Sequence, residues 1–136
     1  MIAYLTLFAW SFAAATILPL ASEPMLILMV RSTGDVAAPV LTATAGNYLG
    51  ACTTYWLARL AVQNIAAREG ANHGRAARLV ARFGQPALLL SWVPVIGDAI
   101  VAVAGGVRIP FAPFSAWVAA GKLIRYAVVG AVAARV

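Results

Sequence analysis

The chain has 136 residues, 63% of them hydrophobic and only 10% charged, with a net charge of +6 and a mean hydropathy of +0.89. A soluble domain carries about 25% charged residues, so this composition describes an integral membrane protein. The charge does not argue for nucleic acid, because no basic patch sits on a polar fold; the arginines mark a cytoplasmic side and meet anionic lipid.

Residues 1–30 hold a single charge, Glu23, and lack the cationic start of a signal peptide. A spanning helix needs about 20 apolar residues. This run is longer and contains Pro19 and Pro24. Each proline removes an N–H donor, clashes with the preceding turn and pushes the residue before it out of the helical region. Two readings fit: one kinked helix, or a hairpin that enters and leaves on the same side with its tip near 19–24. The polar turn Arg31-Ser32-Thr33-Gly34-Asp35 ends the segment.

Residues 36–58 carry no charge and suit a spanning helix. Pro39 sits in its first turn, where proline is tolerated. Gly46 and Gly50 form a GxxxG that admits a second backbone. Asn47 lies at mid-helix, and Tyr55 and Trp56 fit an interfacial belt. Cys52, the lone cysteine, offers no disulfide and reads as a packing residue.

Residues 59–82 hold five arginines against Glu69 alone, with a turn at Gly70-Ala71-Asn72-His73-Gly74. Arg75, Arg78 and Arg82 share one helical face. The segment reads as a cytoplasmic helical hairpin on anionic headgroups. His73 has no second ligand type beside it, so no metal site is expected.

Residues 83–107 are apolar apart from Asp98, and are interrupted by Pro86, Pro94 and Gly97. Residues 111–134 form the last spanning candidate, with Lys122 and Arg125 in its middle.

Pro94 follows Pro19 by 75 residues, and Asp98 follows Glu23 by the same 75. That offset also carries Gly46 to Gly121, Asn47 to Lys122, and 36–58 onto 111–133. Each half is then a proline-broken segment followed by one spanning helix. If the broken segments are re-entrant hairpins, each half crosses once, and consecutive halves point in opposite directions. This is the inverted-repeat plan of many transporters, whose sites lie near the midplane at discontinuous helices. The expected fold is an all-α integral membrane protein in one domain. Repeat 1 spans about 1–58, the cytoplasmic basic helical connection 59–82, and repeat 2 about 83–136. The arginine-rich loop inside leaves 31–35 and Val136 outside. Pro19, Pro24, Pro94 and Gly97 are the hairpin breaks.

Both tips then meet at the midplane, which gathers Glu23, Asp98, Asn47, Lys122 and Arg125. A charge at helix centre costs about 2.5–3.5 kcal/mol even on the forgiving insertion scale. Two acids and two bases there must pair, face a cavity or bind something. A homo-oligomer is one further way to hide them. No nucleophile–base constellation or metal cluster argues for an enzyme, and no cofactor is expected.

The chain also resembles the DedA family of membrane proteins (the VTT or SNARE-associated group), and most closely its small YqaA-like branch. The matching residues are Leu18-Pro19 through Ser22-Glu23-Pro24, Gly46-Asn47-Tyr48-Leu49-Gly50 and Tyr55-Trp56-Leu57-Ala58-Arg59. In the second half they are Phe83-Gly84, Ser91-Trp92-Val93-Pro94-Val95-Ile96-Gly97-Asp98, Ala104-Gly105 and Gly121-Lys122-Leu123-Ile124-Arg125-Tyr126. The resemblance implies two re-entrant hairpins on spanning helices. It also implies movement of lipids, such as phospholipids or polyprenyl phosphate carriers, with proton dependence in several members. The chain departs from the broader family where two arginines would fall at Ser91 and Gly97, and where an acid would fall near Ala51. The expected function is therefore an inner-membrane transporter, a flippase or scramblase for a phosphate-headgroup lipid. Glu23 and Asp98 would be its proton-sensitive acids, and Lys122 and Arg125 would meet the phosphate. The alternatives are a proton-coupled small-ion or small-solute transporter, and a non-transporting assembly factor in which the four charges are structural.

Overall fold

The computed structural model describes residues 1–16, 21–65, 82, 84–93 and 96–136. Every element among them is helical: α1 (Ile2–Thr16), α2 (Glu23–Thr33), α3 (Ala37–Ile65), a 3-10 helix (Gln85–Trp92), α4 (Ile96–Gly106) and α5 (Phe111–Arg135). Two of these are long. At 29 and 25 residues, α3 and α5 run about 43 and 37 Å, more than the ~30 Å hydrocarbon core. Helix α5 is also apolar enough to cross a membrane. Helices α1, α2 and α4 have 15, 11 and 11 described residues and the 3-10 helix has 8, each fewer than the about 20 of a simple spanning helix.

The first apolar run holds two described helices rather than one. Helix α1 stops at Thr16 and α2 starts at Glu23. Pro24 does not itself interrupt a helix. It occupies the first turn of α2, where its missing N–H costs nothing, so the break lies before it. Pro19 and Pro94 lie outside the described residues. Gly97 likewise sits inside α4. Its role is close approach, since a Cβ there would stand 2.7 Å from the Ser91 carbonyl carbon. Helix α2 ends on left-handed Gly34, whose amide bonds the Val30 carbonyl. Asp35 Oδ1 then accepts the Ala37 amide at 2.9 Å and starts α3.

Two expectations need correction. Helix α3 does not stop at residue 58 but runs to Ile65, because no glycine or proline intervenes before Gly70. Tyr55 is not an interfacial side chain. It is fully buried, stacked on Phe114 at 4.2 Å, and its hydroxyl donates to the Ile109 carbonyl. Trp56 is the exposed member of that pair. Of the basic connection, residues 66–81 lie outside the described residues, and with them His73, Arg75 and Arg78.

Helices α3 and α5 pack antiparallel. Val40 lies against Gly130, Asn47 against Lys122, and Tyr55 against Phe114. Helix α1 lies along α3, and the 3-10 helix lies along α5. The other two short helices cross over: α2 packs on α5, and α4 on α3. The GxxxG is what admits α1. A Cβ at Gly46 would strike the Phe8 carbonyl oxygen, and one at Gly50 would stand 2.7 Å from the Ala15 methyl. Two apolar clusters result. One gathers Ala51, Tyr55, Leu88, Ile100, Phe114 and Val118. The other gathers Leu7, Leu26, Val30, Val40, Ala43 and Tyr126.

Candidate functional site

Between the two apolar clusters lies a polar layer. On α3 it falls between Ala43 and Ala51, at Asn47. On α5 it falls between Val118 and Tyr126, at Lys122 and Arg125. The 3.6-residue repeat puts Lys122, Arg125 and Tyr126 on one face of α5, and all three are buried. The same face carries Phe114 and Val118 into the core, so the two bases are drawn inward with it.

The acids come from the starts of the two short crossing helices. Glu23 is the first residue of α2, and Asp98 lies in the first turn of α4. Unpaired amides and the helix dipole favour a carboxylate at such positions. Each acid meets one base. Arg125 Nη2 donates to Glu23 Oε1. Lys122 Nζ lies 3.7 Å from Asp98 Oδ1 and donates to Asn47 Oδ1. Asn47 is held in turn, because its Nδ2 donates to the Ser11 carbonyl at 3.0 Å. All five residues named from the sequence therefore stand in this layer. They form two pairs on bases one helical turn apart.

The layer is open on its acidic side. The Lys122 side chain is 0% exposed and that of Arg125 10%, whereas Glu23 is 20% and Asp98 32% exposed. The two acids are thus the more accessible members of their pairs.

Three participants escape a search for charges. The Ser22 and Tyr126 hydroxyls share a buried hydrogen bond of 2.5 Å, which ties the start of α2 to α5 beside the Glu23–Arg125 pair. The Ser91 hydroxyl is buried next to the second break without a hydrogen-bond partner among the described residues. Adjacency to Glu23 and Arg125 is the signal that could have marked Ser22 and Tyr126; nothing local marks Ser91.

A cleft of about 360 Å³ runs between α2 and α5. Ile27, Val128, Val129 and Val132 form its walls, Glu23 lies at one end and Arg31 at the other. A second cleft of about 340 Å³ adjoins it, lined by Val30, Arg31, Gly34 and the last residues of α5. Glu23, the partner of Arg125, therefore lies at one end of an apolar groove between α2 and α5.

Comparison with known proteins identifies the family. The VTT domain model matches residues 18–134. An uncharacterised protein of Haemophilus influenzae is 38% identical over 132 residues, covering 88% of this chain and 80% of its own. The inner membrane protein YqaA of Escherichia coli is 40% identical over 129 residues, covering 93% of this chain and 87% of its own. The protein of that name from Shigella flexneri matches to the same extent. No solved structure matches.

Proposed function

The chain belongs to the VTT-domain (DedA) family, and we propose that it translocates a phosphate-headgroup lipid across the bacterial inner membrane. The observation that carries this is the groove between α2 and α5: Glu23, the partner of Arg125, lines a cleft walled by valine and isoleucine and open along the helix pair. A small ion or solute needs no such side opening. A lipid does, because its chains stay in the bilayer while its head crosses. The name of the Escherichia coli relative supports the inner-membrane location.

The mechanism follows from the pairing. Arg125 presents a planar fork suited to a phosphate, and Glu23 occupies it at rest. Protonation of Glu23 frees Arg125 for the headgroup, which links proton uptake to lipid binding. Lys122 and Asp98 form the second such pair, one turn away.

The re-entrant, inverted-repeat reading belongs to the same proposal. Four helical segments too short to cross, two long antiparallel helices, and the exchange of α2 and α4 between halves all support it. So does the sidedness of the contacts. Val36 and Val40 meet Gly130 near one end of the pair, while Tyr55 meets Ile109 towards the other. With the 59–82 connection cytoplasmic, Arg31–Asp35 and Val136 face outward.

A second reading draws on the same geometry. Each base already has an acid, as a purely structural ion-pair cluster in an assembly factor requires. Headgroup-resolved flipping in proteoliposomes separates the two. Lipid translocation requires that Arg125→Gln stay folded yet lose flipping, and that Arg125→Lys, which keeps the charge without the fork, lose most of it. Full flipping in folded Arg125→Gln would rule out the headgroup site. Restored flipping in Glu23→Gln/Arg125→Gln would favour the structural cluster.

A further inference from the structure

We infer that the outer end of the α2–α5 groove binds the headgroup of an anionic phospholipid, with Arg31 as the residue that selects it. Four observations lead there. First, Arg31 lies on both clefts, the inner apolar one and the outer one around Gly34. It stands where an amphiphile changes from chain to head.

Second, Arg31 makes no ion pair or hydrogen bond among the described residues. An arginine in the last turn of a helix often serves its own carbonyls. Here two carbonyls at that end are met by other groups. Met29 O accepts from the Ser32 and Thr33 hydroxyls, at 3.1 and 2.7 Å, and Val30 O accepts from the Gly34 amide at 2.9 Å.

Third, neither neighbouring carboxylate pairs with Arg31. Glu23 holds Arg125, and Asp35 Oδ1 accepts the Ala37 amide. The guanidinium therefore keeps its whole charge, which attracts a net-negative head more than a zwitterionic one.

Fourth, the groove continues inward from Arg31 along Ile27, Val128, Val129 and Val132 to Glu23. Eight residues of α2 separate the two ends, about 12 Å along the helix. That apolar length suits an acyl chain and gives a free phosphate nothing to gain, so the ligand is a lipid. The inference deepens the lipid reading above, from which it takes only the lipid's onward path to Arg125.

The test is native mass spectrometry of the full chain in detergent, with equimolar phosphatidylglycerol and phosphatidylcholine of identical chains. One interfacial ion pair of about 1 kcal/mol corresponds to roughly fivefold, so the unaltered protein should hold phosphatidylglycerol about fivefold over phosphatidylcholine. Arg31→Gln should bring that ratio to about one. Val132→Trp, which fills the apolar cleft from an exposed position, should lower both lipids together. A phosphatidylglycerol preference that survives Arg31→Gln, or occupancy unmoved by Val132→Trp, overturns the site. Arg31 is exposed, so neither reading depends on a folding defect, and thermal unfolding checks this. Absent flipping with the preference intact would reject translocation and leave this site standing. Intact flipping with no preference would reject this site alone.

Discussion

Replacing Lys122 with methionine tests whether the polar layer is held by its pairs. The ammonium is wholly buried, and moving such an ion from water costs several kcal/mol. Against this stand the Asp98 carboxylate at 3.7 Å and the Asn47 amide oxygen. At an effective dielectric of 20 the Coulomb attraction at that distance is about 4.5 kcal/mol, so the pair comes close to balancing its own desolvation. Removing one partner of a buried pair costs about 3–5 kcal/mol. Asp98 is 32% exposed and can recover part of its solvation, which places Lys122→Met near the lower end, about 3 kcal/mol. Lys122→Met/Asp98→Asn removes both charges and should return to within about 1 kcal/mol of the starting stability. Asp98→Asn alone strands the wholly buried ammonium and should cost about 3 kcal/mol or more, so the coupling energy from the double-mutant cycle is about 5 kcal/mol in magnitude. Thermal unfolding in detergent reads this as a loss of about 10 °C for the single variant, at about 3 °C per kcal/mol for a chain of this size. A double variant as unstable as the single one would refute the pairing. So would a single variant as stable as the parent.

Gly46→Ala should separate α1 from α3, because the new methyl meets the Phe8 carbonyl oxygen, which is backbone and cannot rotate away; overpacking of this kind costs about 1–3 kcal/mol, read as a lowered unfolding midpoint, and an unchanged midpoint would contradict the close approach. Tyr126→Phe should cost about 1 kcal/mol by stranding the Ser22 hydroxyl, and Ser22→Ala/Tyr126→Phe should recover most of it. In a Cys52→Ala background, Ser32→Cys should react with an impermeant thiol reagent in intact cells and Ala71→Cys should not; labelling of position 71 from outside would reverse the orientation.

Much of this arrangement is legible in the residues. A proline and a lone acid inside an apolar run mark where a short helix begins: Glu23 and Pro24 open α2, and Asp98 stands in the first turn of α4. Charges half-way along α5 locate the polar layer. The pairing within the layer is not legible: Glu23 goes to Arg125 and Asp98 to Lys122 through the packing of α2 on α5 and α4 on α3. The hydroxyls of Ser22 and Tyr126 are common in helices and carry no charge to betray them. Tyr55 beside Trp56 reads as interfacial from composition alone, yet its burial depends on Phe114, 59 residues away. The α2–α5 groove exists only between elements distant in the chain, so no local pattern could announce it.

The proposed two-fold relation explains why two similar halves share so few residues. Asn47 and Lys122 are 75 residues apart and touch. A position that contacts its own repeat mate lies on the axis relating the halves. Identical residues cannot serve there. Two lysines would set like charges against each other in the core, and two asparagines would leave Asp98 without a cation. The halves must differ at the axis, and they do. Arg125 corresponds to Gly50, which has no room for a side chain because Phe12 and Ala15 press against it. Both bases therefore stand on α5 while each half supplies one acid. That asymmetry makes α5 the helix on which two equivalent acids converge. A conformational exchange between the halves would change which acid is open and leave the bases where they are.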